Sequence, residues 1–276
     1  MKIAITGALG FLGRELVRYY SGSHSIVGIQ HFRKTGAQPA AGYEAAVFDF
    51  QKNPPENLSS ALKGCDLLFH CAHSESLPED LPLKLLEVYQ KASPNGKFIH
   101  VSSINVLVPA LAQDPYTQTK KRAEEMLFKA TPLIPVLIVR PPFLISQSDP
   151  GNFKKVIKVA AWSRIVPLVC PGPSHHALET QPLIEVLDKK IAGITQPGFY
   201  KLNIIGRKLK PLADLVKESV KRHVRGGVFF ISLSSAFILR VINSIPYGRH
   251  LARKKMKLFN NTLYEPADDG SGTVVV

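Results

Sequence analysis

Through its first 145 residues the chain alternates short, almost wholly apolar runs with segments of helical character, and few folds accept that pattern. The runs KIAIT (2–6), SIVGI (25–29), AAVFDF (45–50), DLLFHCA (66–72), KFIHVSS (97–103) and VLIVRP (136–141) are too continuously apolar for strands with one wet face. Strands covered by helices on both faces read this way. Helices are predicted between them at 11–21, 55–63, 81–92 and 116–130. The alternation implies an α/β fold over residues 1–145, a doubly wound parallel sheet with right-handed crossovers.

After residue 145 the pattern changes. SQSDPGN and VCPGPSHH read as loops, and helices are expected near 152–163, 181–192 and 211–223, separated by a strand-like GFYKLNII. A smaller, mixed C-terminal substrate lobe is expected over 146–264, closing over the sheet's carboxyl edge, with a loosely held tail at 265–276. The run GVFFISLSSAFIL (227–239) is 13 uncharged residues long, too short to cross a bilayer. It reads as a buried helix, and a helix lying on a membrane surface is the alternative.

The charge is uneven. The net balance is +14, and residues 201–257 hold 14 Lys/Arg against Asp214 and Glu218. Such a block attracts phosphorylated ligands, polyanions or acidic lipid headgroups, or serves as a solvated face. No aromatic-interleaved basic motif or zinc spacing is present, so nucleic acid is not the expected partner. Cys65, Cys71 and Cys170 lack metal-type spacing and fit free thiols in a reducing cytoplasm. Arg14 and Glu15 interrupt the first apolar run too early for a secretory signal. Among His70, His73, His175 and His176, His70 sits in an apolar strand and reads as a core histidine, and the His175–His176 pair has no carboxylate or cysteine at ligand spacing nearby, so no metal site is expected.

Gly7, Gly10 and Gly13 follow the first strand and open the first helix. A dinucleotide pyrophosphate needs bare amides at a helix N-terminus, a tight turn without a Cβ, and close helix–strand packing. ITGALGFLG supplies these in order, with Thr6, Phe11 and Leu12 beside the glycines, at a G-x-x-G-x-x-G spacing. The second strand ends in GIQHFRK, where enzymes using the unphosphorylated cofactor carry an acidic residue. Gln30 followed by His31, Arg33 and Lys34 suits a 2′-phosphate, so NADP(H) is favoured over NAD(H).

With these pieces in place the chain resembles the extended, epimerase/dehydratase-like short-chain dehydrogenase/reductase family of the NAD(P)-binding Rossmann superfamily. TGALGFLG, FDF, LLFHCAH, HVSSINV, YTQTK and VRPPFLI occur in the family's order over about residues 1–145. The resemblance implies that Asp49 and Phe50 approach the adenine, and that Cys71, Ala72 and His73 pass beneath the ribose and pyrophosphate. It implies that Pro141, Pro142 and Phe143 lie beside the nicotinamide, and that Ser103, Tyr116 and Lys120 form the catalytic set. The chemistry suits those residue types. Hydride transfer needs a proton at the substrate oxygen, an adjacent ammonium lowers a tyrosine pKa, and a four-residue step puts both on one helix face. A serine at the strand end polarises the carbonyl. The chain departs from the family at the asparagine of the fourth helix, the aromatic-glycine ending after strand five and the valine-aspartate pair of the lobe.

The expected function is an NAD(P)-dependent oxidoreductase or epimerase/dehydratase acting on a hydroxy or keto substrate, best a nucleotide sugar. Lys154, Lys155 and Arg164 are candidate contacts for its diphosphate. The alternatives are a non-catalytic dinucleotide-binding sensor or assembly subunit, and a reductase docked on a membrane surface through 227–257. A homodimer is compatible with either enzyme reading.

Overall fold

Strand side chains alternate between two faces, and here both faces are apolar, so helices must cover both. The computed structural model describes residues 1–30, 43–74, 77–148, 151–170, 172–234 and 273–276. The first part runs β1 (Lys2–Thr6), α1 (Phe11–Tyr20), β2 (Ser25–Gln30), β3 (Glu44–Val47), α2 (Ser59–Leu62), β4 (Leu67–His70), α3 (Leu81–Ala92), β5 (Lys97–Val101), α4 (Pro115–Leu127) and β6 (Pro135–Arg140). It continues with β7 (Phe143–Ile145), α5 (Lys154–Ser163), β8 (Ile165–Cys170), β9 (Ser174–Glu179), α6 (Thr180–Gly193), β10 (Gly198–Ile205), β11 (Leu209–Pro211), α7 (Leu212–His223), β12 (Phe229–Ser234) and β13 (Thr273–Val275).

Eight strands form one parallel sheet in the order β13-β10-β6-β5-β4-β1-β2-β3. One face packs Ile3, Ile5, Phe69, Ile99 and Leu137 against Leu16 of α1 and Leu183 and Leu187 of α6. The other packs Ala4, Leu68, Phe98 and Val136 against Leu62, Leu85, Tyr89 and Leu127. Strand order reverses between β1 and β4, which opens a crevice at their carboxyl ends, the usual ligand position in such sheets. This is the doubly wound α/β architecture the sequence predicts.

Two smaller sheets, β11-β9-β7 and β12-β8, lie beyond it with α5 and α7. Phe153, Val166, Leu168, Leu215 and Val220 form their separate core. The stretch expected to form the lobe is divided: β10 pairs with β6 in the main sheet, and α6 packs on α1. Residues 273–276, within the expected tail, are bonded to that sheet. Val276 N–H donates to the Ile205 carbonyl and Arg207 N–H to the Val276 carbonyl, both at 3.0 Å.

The helix expected at 227–239 is corrected over its described part. Residues 229–234 form β12, parallel to β8 in the register Phe229↔Ile165 to Ser234↔Cys170. Two phenylalanines and a β-branched isoleucine suit a strand, and β8 takes its backbone bonds. Phe230 turns to the lobe core while Phe229 and Ile231 face outward. Residues 235–257 of the expected membrane-contact segment lie outside the described residues.

Candidate active site

The sheet edge first shapes the glycine turn. Gly7 has φ +70°, and a Cβ there would stand 2.9 Å from the Ala72 backbone; a Cβ on Gly13 would stand 2.2 Å from the Gly7 carbonyl oxygen. Only bare backbone fits at these two places. Gly7 N–H donates to Ile29 O at 2.9 Å and Gly10 N–H to Gly7 O at 2.7 Å, which ties the turn to β2 and to itself. Helix α1 begins at Phe11 with no side-chain cap at Gly10 and no acidic residue in its first turn. No Gly10 side chain or first-turn carboxylate competes for its leading amides, and the cradle fits a pyrophosphate.

Thr6, at the end of β1, is buried. Its Oγ1 lies 2.8 Å from His70 Nδ1 and accepts from the Ala72 amide at 3.3 Å. Burial lowers the His70 pKa to about 3, with the Lys120 and His73 charges acting the same way. His70 stacks on His100 at 5.4 Å. His100 and the Ser102 hydroxyl are buried with no hydrogen-bond partner among the described residues. Cys71 donates its amide to Thr6 O, and burial pushes its thiol up to about 12 against the pull of Lys120.

At the end of β2, Gln30 is buried, and its side-chain oxygen has no partner among the described residues. His31, Arg33 and Lys34 lie outside the described residues. Asp49 accepts the Gln51 amide at 3.0 Å. Phe50 is buried against Phe48, ring centroids 5.0 Å apart. Pro141 is buried and its carbonyl accepts the Ile104 amide, whereas Phe143 enters β7 and packs on Phe153 and His175. Arg164, expected near a substrate diphosphate, donates instead to the Arg225 carbonyl at 2.6 Å.

The Tyr/Lys pair sits on α4, which starts at Pro115 behind an Asp114 cap that accepts the Thr117 amide. Ser103, two residues beyond β5, lies near enough to act on the Tyr116 phenol, and the Tyr116 and His73 rings meet at 4.9 Å in a T-shaped contact. Lys120 Nζ donates to Val101 O at 2.8 Å and lies 6.0 Å from the Tyr116 ring centroid. Burial draws its pKa down to about 8, with Cys71 and Glu124 opposing.

The tyrosine does not show the lowered pKa that its lysine leads one to expect. Burial raises it, the Ser103 hydrogen bond opposes this, and Asp114 adds to it. Lys120 turns its ammonium to the Val101 carbonyl, so desolvation of the phenolate dominates.

Sequence reasoning passed over the group that fixes α4. Arg140 donates to Glu124 through Nε at 3.0 Å and Nη2 at 2.6 Å, and through Nη1 to Asn203 at 3.3 Å. Both partners of the ion pair are buried. The arginine of VRPP was in view; its partner is one carboxylate of KKRAEEML, and nothing local distinguishes Glu124 from Glu125. No group of three or more His, Cys, Asp or Glu side chains able to hold a metal occurs among the described residues.

Comparison with known proteins places this geometry. The NAD-binding family described as Male sterility protein matches residues 84–166, which include β5, Ser103, Tyr116, Lys120 and β6. A ceramide reductase of Caulobacter vibrioides is 28% identical over 183 residues, 60% of this chain and 53% of that protein. The chain thus spans about half the length of that curated relative. Among solved structures, dTDP-glucose 4,6-dehydratase of Bacillus anthracis in complex with NAD superposes with TM-score 0.64 at 18% identity, covering 84% of this chain and 85% of that one. The UDP-glucuronic acid 4-epimerase of Bacillus cereus does so at 0.61 and 21%, covering 85% and 86%. The shared fold is a Rossmann-like doubly wound sheet, and the segment that carries Ser103, Tyr116 and Lys120 is similar to that NAD-binding family.

Proposed function

We propose that the protein is an NAD(P)-dependent reductase that adds hydride to a carbonyl carbon of an amphiphilic, lipid-like substrate. The observation that carries the reading is Tyr116, a half-buried phenol whose pKa desolvation raises, beside Ser103 and one helical turn from Lys120. A protonated phenol is the form needed to protonate the oxygen of a carbonyl being reduced.

When bound, the dinucleotide supplies the hydride. The turn from Gly7 through Phe11 and Leu12 to Gly13 would hold its pyrophosphate, with Thr6 locking that turn to Ala72. Asp49 and Phe50 would hold the adenine, Cys71, Ala72 and His73 the ribose side, and Pro141 and Phe143 the nicotinamide end. Tyr116 donates its proton to the carbonyl oxygen, and the Ser103 hydroxyl orients that oxygen. The Lys120 ammonium stabilises the tyrosinate left behind. The small lobe, with β7 and β9, would close over the substrate. Free thiols at Cys65, Cys71 and Cys170 fit a cytoplasmic setting.

The substrate class rests on the family match and on the relative named a ceramide reductase. A nucleotide-sugar epimerase or dehydratase is the second reading, favoured by fold neighbours solved with UDP-glucuronic acid and UDP-glucose. One panel separates them: long-chain ketones and nucleotide sugars, following both product and net cofactor absorbance. Net oxidation of cofactor with the ketones supports the reductase; sugar turnover without net absorbance change overturns it. Tyr116→Phe should cut turnover by at least about a hundredfold with cofactor affinity retained; unchanged turnover would remove Tyr116 from the mechanism, and no turnover of any substrate favours the non-catalytic alternative.

The phosphorylated cofactor is the proposed partner, because Gln30 is uncharged and is followed by His31, Arg33 and Lys34. Titration should show tighter binding of NADP(H) than NAD(H), and equal affinities would remove that preference.

A further inference from the structure

We propose that the end of the small lobe where α5 meets β8 and β12 is a docking surface for an anionic phospholipid bilayer. Trp162 closes α5 with 87% of its surface exposed, and Phe229 opens β12 with 74% exposed. Ile165 and Ile231 are exposed beside them, since Phe229 pairs with Ile165 and Ile231 with Pro167 on the outer face of the strand pair. The turn between these elements is tied together. Ser163 Oγ accepts the Ile165 amide at 3.2 Å, Phe229 N–H donates to Arg164 O at 2.8 Å, and the Arg164 guanidinium holds the Arg225 carbonyl. Trp162, Ile165 and Phe229 therefore sit at one end of the lobe, on a braced turn.

Charge identifies the occupant. Residues 151–178 hold Lys154, Lys155, Lys158 and Arg164, and residues 219–234 hold Lys221, Arg225 and Arg222, the last paired with Glu179 at 3.0 Å; neither stretch contains Asp or Glu. Lys155 and Lys158 share the exposed side of α5 with Val159 and Trp162, at the helical spacing i, i+3, i+4, i+7. A protein partner rich in acidic groups would meet the cations but leave the tryptophan and phenylalanine poorly matched. A bilayer interface accepts both: aromatic and aliphatic side chains enter the headgroup boundary while lysines and arginines stay among the phosphates. This surface is separate from Tyr116, so it stands or falls independently of the reductase reading.

The full-length protein is floated with vesicles of phosphatidylcholine alone and of phosphatidylcholine with about one-third phosphatidylserine. Association with the anionic vesicles and not the neutral ones is expected. Trp162→Ser with Phe229→Ser should lower that association at least about tenfold, and Lys158→Glu by about fivefold or more. Turnover of a water-soluble carbonyl compound, where measurable, should be unchanged in each. Equal flotation of the variants and the parent overturns the proposal. So does a dimer by light scattering that Phe229→Ser dissociates, which would make a second copy the occupant. Protection of a Phe229→Cys thiol from maleimide in the monomer without vesicles would assign the face to residues 235–272 of the same chain, and also overturns it.

Discussion

Lys120 is 5% exposed, and burial draws its pKa to about 8 from about 10.4 in an unfolded chain. Below about pH 8 both states hold the proton and the penalty of burying the ammonium is present in full. Between the two values the unfolded chain binds more protons, so folding stability rises with pH across that window. Lys120→Met should stabilise the fold at pH 7 by about 1 to 3 kcal/mol in urea titration, flatten the rise above pH 8, and abolish turnover. In the parent, turnover should fall as pH rises through about 8, because the ammonium that supports Tyr116 is lost. At this scale the sequence offers the candidate pair through its context, a tyrosine and lysine four apart at the start of a helix that follows a strand ending in Ser-Ser. Their protonation was not, because it depends on the Val101 carbonyl and on burial, neither of which is local in sequence.

Helix α4 carries both groups, and its placement depends on the Glu124–Arg140 pair that pins it to the end of β6. Removing one buried partner leaves an uncompensated charge. Arg140→Leu should therefore cost about 3 to 5 kcal/mol by denaturant unfolding, and adding Glu124→Leu should recover much of that loss. Recovery of stability without recovery of turnover would mark the pair as a positioning device. Among elements, the main-sheet strands were readable because continuous apolar runs have one explanation when helices intervene. Helix α3 coincides with its predicted span, 81–92. Strand β12 was not readable: a run of 13 apolar and small residues satisfies a buried helix equally well, and its partner β8 lies some sixty positions away.

Over the whole molecule, the sequence divides near residue 145, but the chain does not keep to that boundary. It leaves the main sheet after β6, builds β7, α5, β8 and β9, returns for α6 and β10, and leaves again for β11, α7 and β12. Composition could not reveal this, because β10 resembles the strands of either unit, and its parallel pairing with β6 is long-range. The net charge of +14 acts at this scale too. Association with acidic vesicles should weaken at least about tenfold between roughly 50 and 500 mM salt as the screening length shrinks. Salt-independent association would point to the aromatic side chains alone.

With the main chains of Gly7, Gly13 and Ala72 already in contact, the loop has no slack for an arriving molecule to take up. Its shape is set when the chain folds. A dinucleotide would displace solvent there without freezing backbone, so the entropic penalty of forming that seat falls on folding, and association is spared it.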